Sequence, residues 1–425
     1  MKKNVLILGS GGREHALAWK FSQSSLLANL YCIPGNPGIS TLASCPTGIS
    51  EDAEALTRFI HDNKIDIFVC GPEAPLAEGL MDKLRQKLSD DVILIGPGKQ
   101  GATLESSKQF AKEFMMRYNI PTAAYRSFNS QSLNQATEFI MTMNTPVVLK
   151  ADGLAAGKGV VICNTRQEAV QEVTDMLNGK FGEASKVVVV EEFLSGIECS
   201  VFVLTNGEQY IVLPEAKDYK RVGEADAGPN TGGMGSVSPV PFFTDELRKR
   251  ICSSIIEPTL SGLKAEKIEY QGFVFFGLII VNGDPFVIEY NCRLGDPETE
   301  SIMLRIESDF IEMMTACHDR RLDNYKIKIS PQSAATVFLV SGGYPGAFAR
   351  GKMITLPSMN SNSVLFHAGT AFSEGNLVTT GGRVIAVSSL AEGLSEALSS
   401  SNRLADEIKF DGKYFRRDIG FDLHI

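Results

Sequence analysis

The chain has 425 residues, a length that predicts about three domains of roughly 150 residues each and excludes a single small binding module. With 44% hydrophobic and 21% charged residues, its composition is typical of a globular protein and excludes a disordered or fibrous one. The formal charge of -9, from 50 acidic and 41 basic residues without a basic run, argues against nucleic acid and anionic membranes as partners.

The first residues and the cysteines indicate the compartment. Four strongly apolar residues, 5–8, precede Gly9, a run too short for a signal peptide or a membrane span. We therefore expect a cytoplasmic protein. The eight cysteines are scattered and form no C-x-x-C pair, so we expect buried, reduced thiols rather than a metal site or disulfides.

Short β-branched runs alternate with helical stretches over the first hundred residues, which predicts a doubly wound parallel sheet. The predicted strands are 5–8, 30–33, 65–70 and 92–95, with a helix through Leu17 and Phe21 after the first. Each strand ends in a turn that contains glycine or proline. Ligands of open α/β sheets bind at these carboxyl ends, so we expect a binding site there.

From about residue 103 the pattern changes to a helix at 108–118 and strands in close succession. We predict two hairpins, 146–150 with 159–163 and 187–193 with 198–204, then a polar, glycine-rich loop at 223–235 and a helix at 309–318. A third, α+β unit begins near 325, with strands at 334–340, 364–368 and 382–387 and a closing helix at 390–408.

The first chemical motif is G-S-G-G-R-E-H at residues 9–15, between a strand and a helix. Glycines allow close backbone approach to a phosphate, and a helix N-terminus offers free N–H groups. A dinucleotide site is disfavoured because Glu14 replaces the third glycine and Pro34-Gly35-Asn36 stands where a ribose-binding acid is expected. A small phosphorylated substrate fits better; a nicotinamide-dependent oxidoreductase and a turn without a ligand remain alternatives.

The second motif is K-A-D-G-L-A-A-G-K-G-V at residues 150–160. Its spacing does not match a Walker loop, and its flanks are predicted strands. Backbone N–H groups of such a hairpin can surround a polyphosphate while Lys150 supplies positive charge. A flexible hairpin with solvated lysines is the alternative.

Two further motifs carry acids on strands. In V-E-E-F-L-S-G-I-E at residues 190–198, backbone groups suit an adenine edge and Glu198 suits ribose hydroxyls, with solvated acids around a turn as the alternative. Glu289, Asn291 and Arg293 alternate along a predicted strand and so share one face. A carboxylate and an amide are ligands that Mg²⁺ accepts, and Arg293 can hold a carboxylate or phosphate. A surface strand with a salt bridge is the alternative.

The order of these motifs resembles the ATP-grasp fold and, more narrowly, the phosphoribosylamine–glycine ligases. G-P-E-A-P-L, G-P-N-T-G-G-M-G, N-C-R-L-G-D-P-E and T-G-G-R-V strengthen the resemblance, which runs from Val5 to Gly420. It implies that glycine, ATP and 5-phosphoribosylamine give 5-phosphoribosylglycinamide through a glycyl phosphate in de novo purine (IMP) biosynthesis. It also implies Mg²⁺ or Mn²⁺ as the metal, whose number stays open because strand 275–279 carries no acid. Apart from the resemblance, we expect a monomer.

The resemblance also implies a role for each matching residue. Those implied to bind ATP are Lys108, Lys150, Gly153, Gly157, Lys158, Gly159, Glu191, Phe193 and Glu198. Those implied to bind phosphoribosylamine or glycine are Gly11, Gly12, Arg13, Gly35, Asn36, Pro72, Glu73, Asp218, Lys220 and Arg221, with the loop 228–235 closing over glycine. Lys150, Arg293 and Asp296 are implied to be catalytic, and Glu289 and Asn291 to bind the metal.

The implied architecture is an α/β protein of three domains. These are a Rossmann-like, phosphoribosylamine-binding domain at 1–102, an ATP-grasp domain at 103–324 with a small lid at about 122–193, and a C-terminal α+β domain at 325–425. Another ATP-grasp ligase or carboxylase and a non-catalytic nucleotide-binding regulator remain as rival functions.

Overall fold

The computed structural model describes residues 2–154, 159–358 and 362–423. It begins with the predicted parallel sheet, in the order β2-β1-β3-β4. The elements of this first unit are β1 (Lys3–Gly9), α1 (Gly12–Ser22), β2 (Leu27–Pro34), α2 (Ala53–Asp62), β3 (Ile67–Cys70), α3 (Glu73–Ala77), α4 (Leu80–Arg85), β4 (Ile93–Ile95) and α5 (Lys99–Ser106).

Both faces of this sheet are covered, as a parallel sheet requires. Along β1, Val5 and Ile7 enter a core shared with the C-terminal part of the chain, whereas Leu6 and Leu8 enter a second core shared with the central part. The first unit is therefore held between the other two, and the loops at the ends of its strands lie at their junction.

A small lobe follows, with an antiparallel sheet in the order β5-β8-β6-β7. It has a core of its own, which includes Phe128, Leu149 and Val190. The elements of this stretch are α6 (Lys108–Arg117), β5 (Tyr125–Asn129), α7 (Leu133–Thr142), β6 (Val147–Ala151), β7 (Val160–Cys163), α8 (Arg166–Leu177) and β8 (Val187–Glu192).

The larger central lobe has an antiparallel sheet in the order β10-β9-β13-β14. The predicted pairing of 187–193 with 198–204 is wrong, because β8 pairs within the small lobe and β9 pairs with β13. The chain crosses between lobes there. The elements are β9 (Ile197–Thr205), β10 (Tyr210–Val212), β11 (Lys217–Asp218), β12 (Gly235–Ser238), α9 (Asp245–Ile251), α10 (Glu257–Ala265), β13 (Gly272–Val281), β14 (Asp284–Asn291), α11 (Glu298–Arg305) and α12 (Phe310–His318).

The C-terminal unit is built on a sheet in the order β11-β12-β15-β19-β16, so two strands from the central region cross the predicted boundary at 325. The predicted helix 390–408 begins too early, since β19 continues to Ala391. The elements are β15 (Ser333–Val340), β16 (Ser363–His367), β17 (Thr370–Ser373), β18 (Asn376–Thr379), β19 (Arg383–Ala391) and α13 (Leu394–Glu407). Within the described ranges, the helices are all too short or too polar to cross a membrane.

Candidate active site

The glycine-rich loop between β1 and α1 is shaped by Glu14. The Gly11 N–H donates to the Glu14 carboxylate at 2.6 Å, and a Cβ on Gly9 or Gly71 would collide with the Glu14 side chain. Gly9 has a φ of +126°, which only glycine adopts readily. The residue that departs from the dinucleotide motif therefore accepts a hydrogen bond from the loop at the helix N-terminus, where a dinucleotide phosphate would otherwise bind.

Arg13 ties the same loop to the central lobe. Its side chain donates to Glu14 at 2.7 Å and to the Leu294 carbonyl at 3.1 Å, and its N–H donates to the Asp296 carboxylate at 3.3 Å. Burial by itself would lower the pKa of Arg13, but Glu14, Glu73 and Asp296 together raise it. The guanidinium thus stays charged in a buried position.

Arg293, just after β14, lies between two acids. It contacts Glu105 at 2.8 Å and Glu73 at 3.4 Å, and the second Glu105 oxygen accepts from the Cys292 N–H at 2.7 Å. Burial raises the pKa of Glu105, an effect that Arg293 opposes. Glu73 also lies 3.9 Å from Arg13, so it joins both arginines. Glu105 was missed by sequence reasoning because no motif includes it.

Asp296 is where the three units meet. One carboxylate oxygen lies 3.0 Å from Arg383 on β19, and the other accepts from the Arg13 N–H on α1. Arg383 also donates to the Gly232 and Asp296 carbonyls, at 2.6 and 2.9 Å. Arg383 belongs to the T-G-G-R-V motif, but the sequence assigned it no role. It anchors the glycine-rich loop 228–235 over Asp296.

The Asn36 side chain is fully engaged by the protein. Its amide donates to the carbonyls of Ser10 and His367, both at 2.8 Å, and its oxygen accepts from the N–H groups of Gly38 and Ile39, both at 2.9 Å. The Asn36 side chain is therefore not free to bind substrate, and only the backbone of this residue is left for that role. Next to Asn36, a Cβ on Gly35 would collide with the Cys45 thiol. In the loop after β3, the Cys70 thiol donates to the Pro72 carbonyl at 3.5 Å.

A second cluster lies between the two central lobes. Glu191 on β8 forms ion pairs with Lys150 at 2.9 Å and with Lys112 at 3.1 Å, and all three side chains are buried. Burial lowers the pKa of Lys112 to about 8, although Glu191 opposes the change. Lys112 was not predicted. It follows Lys108 by four residues, and this spacing puts both on one face of α6.

Lys108 lies at the edge of this cluster and joins it to the hairpin. Its ammonium donates to the Gly153 carbonyl at 3.3 Å. Burial lowers its pKa, while Glu289 raises it and Lys150 lowers it further. Three lysines, Lys108, Lys112 and Lys150, thus gather among the carboxylates of Glu191, Glu289 and Asp152. Their ammonium groups suit an anionic ligand.

The rest of the predicted ATP-binding set lies around these lysines. Gly153 donates its N–H to the Ala184 carbonyl at 3.1 Å, and the Gly159 carbonyl accepts from the Ala151 N–H at 2.8 Å. Phe193 is 40% exposed in the crossing between the lobes. Gly157 and Lys158 lie outside the described residues.

Glu198 is bound by Lys220 rather than free. The Lys220 ammonium contacts Glu198 at 2.9 Å and Asp218 at 3.1 Å. Burial would lower the pKa of Lys220, but Asp218, Glu198 and Glu289 raise it well above its ordinary value. Arg221 donates to the Gly228 carbonyl at 2.7 Å, which holds the glycine-rich loop against this segment.

Glu289 and Asn291 lie on β14, and both are half-buried. A β-bulge at Ile288 shifts the register of β14 against β13, and the Ile288 carbonyl accepts from Lys150 at 3.2 Å. Among the described residues, His, Cys, Asp and Glu nowhere form a group of three or more that could hold a metal. One carboxylate and one amide fit Mg²⁺ bound mainly through phosphate oxygens and water.

His15 and His367 form a buried pair that joins α1 to the end of β16. The His15 Nδ1 accepts from the His367 N–H at 2.7 Å. Burial lowers the pKa of His15 to about 3, with a smaller effect from His367, and lowers that of His367 to about 4. Sequence reasoning missed this pair, because 352 residues separate its members.

We expect this pair to make the protein sensitive to mild acid. Both histidines bind protons in the unfolded chain below about pH 6.5 but stay neutral in the fold, so stability is complete above that pH and falls as the pH drops towards 4. Between pH 7 and pH 5 the free energy of unfolding should therefore fall less in His15→Asn than in the wild type, by up to about 2 kcal/mol. Chemical unfolding at several pH values measures it. His61→Asn, at an exposed position, is the control; an unchanged pH slope in His15→Asn would contradict the prediction.

Comparison with known proteins first defines the class. The fold resembles that of a biotin carboxylase–βγ-ATP complex from Campylobacter jejuni, with a TM-score of 0.71, 16% identity and coverage of 97% of this chain and 93% of the other, a likeness that shows the fold alone. The family model for the phosphoribosylglycinamide synthetase ATP-grasp (A) domain matches residues 106–299, and those for the N and C domains match 3–105 and 334–422. The class is therefore the ATP-grasp enzymes.

The family follows from closer relatives. A phosphoribosylamine–glycine ligase of Vibrio cholerae is 45% identical over 98% of this chain and 97% of its own length. The crystal structure of a phosphoribosylamine–glycine ligase from Thermotoga maritima is 35% identical, with a TM-score of 0.85 and coverage of 98% of this chain and 100% of the other. The chain belongs to the phosphoribosylamine–glycine ligase family.

Proposed function

We propose that this protein joins glycine to 5-phosphoribosylamine, with hydrolysis of ATP to ADP and phosphate, and so makes 5-phosphoribosylglycinamide for purine biosynthesis. Membership of the family supports the reaction. The observation that carries the proposal is Asp296, which follows β14 and contacts Arg13 of the first unit and Arg383 of the C-terminal unit. A sugar-phosphate site and a nucleotide site with a common border are what a ligation between their ligands requires.

The nucleotide is proposed to lie between the two central lobes. Its phosphates would meet Lys108, Lys150 and the hairpin 153–159, and its adenine would lie against the backbone near Glu191 and the Phe193 ring. The lysine cluster supports this placement, because it brings the ammonium groups of Lys108, Lys112 and Lys150 together between the lobes. Glu198 would accept from the ribose, in competition with Lys220.

Glu289 and Asn291 are proposed to hold Mg²⁺ or Mn²⁺. The ion, when bound, neutralises charge on the ATP phosphates. The half-buried carboxylate and amide on one strand support this assignment, as does the proximity of Lys108 to Glu289.

The phosphoribosylamine is proposed to lie over the ends of β1, β2 and β3. The loops at Gly11 to Arg13, Gly35 and Asn36, and Pro72 and Glu73 would surround it. Glycine would lie nearer Arg293 and the segment that contains Asp218, Lys220 and Arg221, with the loop 228–235 above it. Support comes from Glu73, which links Arg13 to Arg293 and so places the two groups of residues side by side.

The proposed reaction has two steps. A carboxylate oxygen of glycine attacks the γ-phosphorus of ATP, the bond to ADP breaks, and glycyl phosphate forms. The amine of phosphoribosylamine then attacks the glycyl carbonyl carbon, loses a proton, and phosphate leaves with the former carboxylate oxygen. Lys150 stabilises charge on the transferring phosphoryl group, while Arg293 and Asp296 align glycine and the amine.

Omission of each substrate in turn tests the proposal. We expect phosphate release only when ATP, glycine and freshly made phosphoribosylamine are all present. Turnover that is indifferent to phosphoribosylamine would instead favour another ATP-grasp ligase or carboxylase. No release from the complete mixture would favour a nucleotide-binding regulator, and a thermal shift with NADH but none with Mg-ATP would favour an oxidoreductase.

We further propose a cytoplasmic monomer without nucleic-acid or membrane partners, divided into domains at 1–102, 103–324 and 325–425. The acidic net charge supports the lack of polyanionic partners. Light scattering of the purified protein tests the monomer.

A further inference from the structure

Glu300 on α11 is a buried acid with an unusual environment. It is 0% exposed, and among the described residues no N–H or O–H group donates a hydrogen bond to either of its carboxylate oxygens. An ionised carboxylate in such a place is costly, because buried charges need donors or counterions. A neutral carboxylic acid needs only one acceptor for its O–H, so the environment of Glu300 suits the protonated form.

The surroundings of Glu300 supply that acceptor. Asp296 lies within hydrogen-bonding contact of it, and Arg383 is the cation that faces both acids. On the other side, a Cβ on Gly12 would collide with the Oε1 of Glu300 and would lie 3.2 Å from the Phe338 ring. Glu300 is thus packed beneath the loop that holds Gly11, Gly12 and Arg13.

The charges around Glu300 and Asp296 favour a single proton on the two carboxyl groups. One oxygen of Asp296 accepts from the Arg13 N–H, and the other lies 3.0 Å from the Arg383 guanidinium, whose positive charge favours an ionised Asp296. Two adjacent carboxyl groups resist double ionisation, so the proton stays on the partner with fewer donors. Burial and, to a smaller extent, the charge of Asp296 raise the pKa of Glu300 well above its ordinary value, and Arg383 opposes this rise. The other titratable groups near Arg383 are Arg13 and Tyr344.

We propose that Glu300 is a positioning residue, protonated at neutral pH, whose O–H donates to Asp296 and so fixes Asp296 and the Gly11 to Arg13 loop for phosphoribosylamine. The inference rests on the proposed function for the identity of the substrate. The protonation of Glu300 and its action through Asp296 do not depend on that function. Glutamine reproduces the shape and the donor of a protonated glutamate, whereas alanine removes both.

Kinetics and infrared spectroscopy together test this inference. At pH 7.5, E300A should raise the KM for phosphoribosylamine about 10- to 100-fold, the range typical of residues that support a ligand through another residue, with little change in the KM for ATP. E300Q should recover most of this loss. E312Q, at an exposed position on α12, is the control.

The infrared measurement reports the proton itself and needs no substrate. The difference spectrum between the wild type and E300Q should contain the carbonyl stretch of a protonated carboxylic acid, which the E312Q difference spectrum lacks. Absence of that band, or an E300Q variant as impaired as E300A, would overturn the inference. If instead the wild type ignores phosphoribosylamine while the band is present, the proposed function fails and the protonated Glu300 stands.

Discussion

Replacement of Glu289 by alanine is expected to lower kcat for ligation by about 10³-fold, the upper range for loss of a single group that stabilises transition-state charge. Glu289 is half-buried on β14, beside Lys108 and Lys220, and it is the proposed carboxylate ligand of the metal. Without it, Asn291 alone would remain to bind the ion, and the phosphates would lose part of their neutralisation. Initial-rate measurements over a range of Mg²⁺ concentrations give the effect.

The fold should survive this change, because Glu289 is not part of a buried hydrophobic core. The matched control is Asp284→Ala on the same strand, where Asp284 forms an exposed ion pair with Arg250 at 2.7 Å. Exposed pairs contribute only about 0–1 kcal/mol, so this variant should keep both activity and stability. Near-normal ligation by Glu289→Ala at saturating Mg²⁺ would show that the metal assignment is wrong.

Replacement of Glu191 by alanine should destabilise the protein by about 3–5 kcal/mol, the usual cost of breaking a buried ion pair by removing one partner. The change leaves the ammonium groups of Lys112 and Lys150 buried without their shared carboxylate. Within the described part of the chain, Lys112 would then keep only Thr122 and the Ala123 carbonyl as acceptors, at 2.7 and 3.4 Å. Denaturant unfolding followed by fluorescence measures the loss.

Nucleotide binding should also weaken in Glu191→Ala, because Lys150 is then free to move away from the position in which it meets the phosphates. Glu192→Ala is the control at the next residue, where the carboxylate accepts one hydrogen bond from the Ala124 N–H, worth about 1 kcal/mol. Calorimetric titration with ADP reports the binding. Equal stabilities of Glu191→Ala and Glu192→Ala would contradict the role given to the lysine cluster.

The fold could be predicted largely because local patterns specify it. Alternating strands and helices identified the first sheet, and glycine-rich turns marked the strand ends that border the site. The predicted pairing of 187–193 with 198–204 was wrong because two strands joined by a short turn have the sequence pattern of a hairpin even when they belong to different sheets. Only tertiary packing assigns β8 to the small lobe and β9 to the larger one.

The candidate site could be predicted where its residues fall within a motif. Arg293 and Asp296 are in one motif, and the structure brings both into contact with the first unit. Sequence reasoning missed Glu105 and Arg383 because their partners, Arg293 and Asp296, lie far away in sequence. It missed Glu300 because spacing does not reveal that this side chain is buried. Lys112 could have been found, since it follows Lys108 by one helical turn.

The fate of one oxygen atom tests the central claim most directly. Glycine labelled with ¹⁸O in both carboxylate oxygens should be incubated with ATP and phosphoribosylamine, and the released phosphate analysed by mass spectrometry. Attack by the glycine carboxylate on ATP, followed by displacement by the amine, predicts one ¹⁸O in each phosphate and one in each product amide. Phosphate without label would show that the carboxylate oxygen never reaches phosphorus, and would contradict the account.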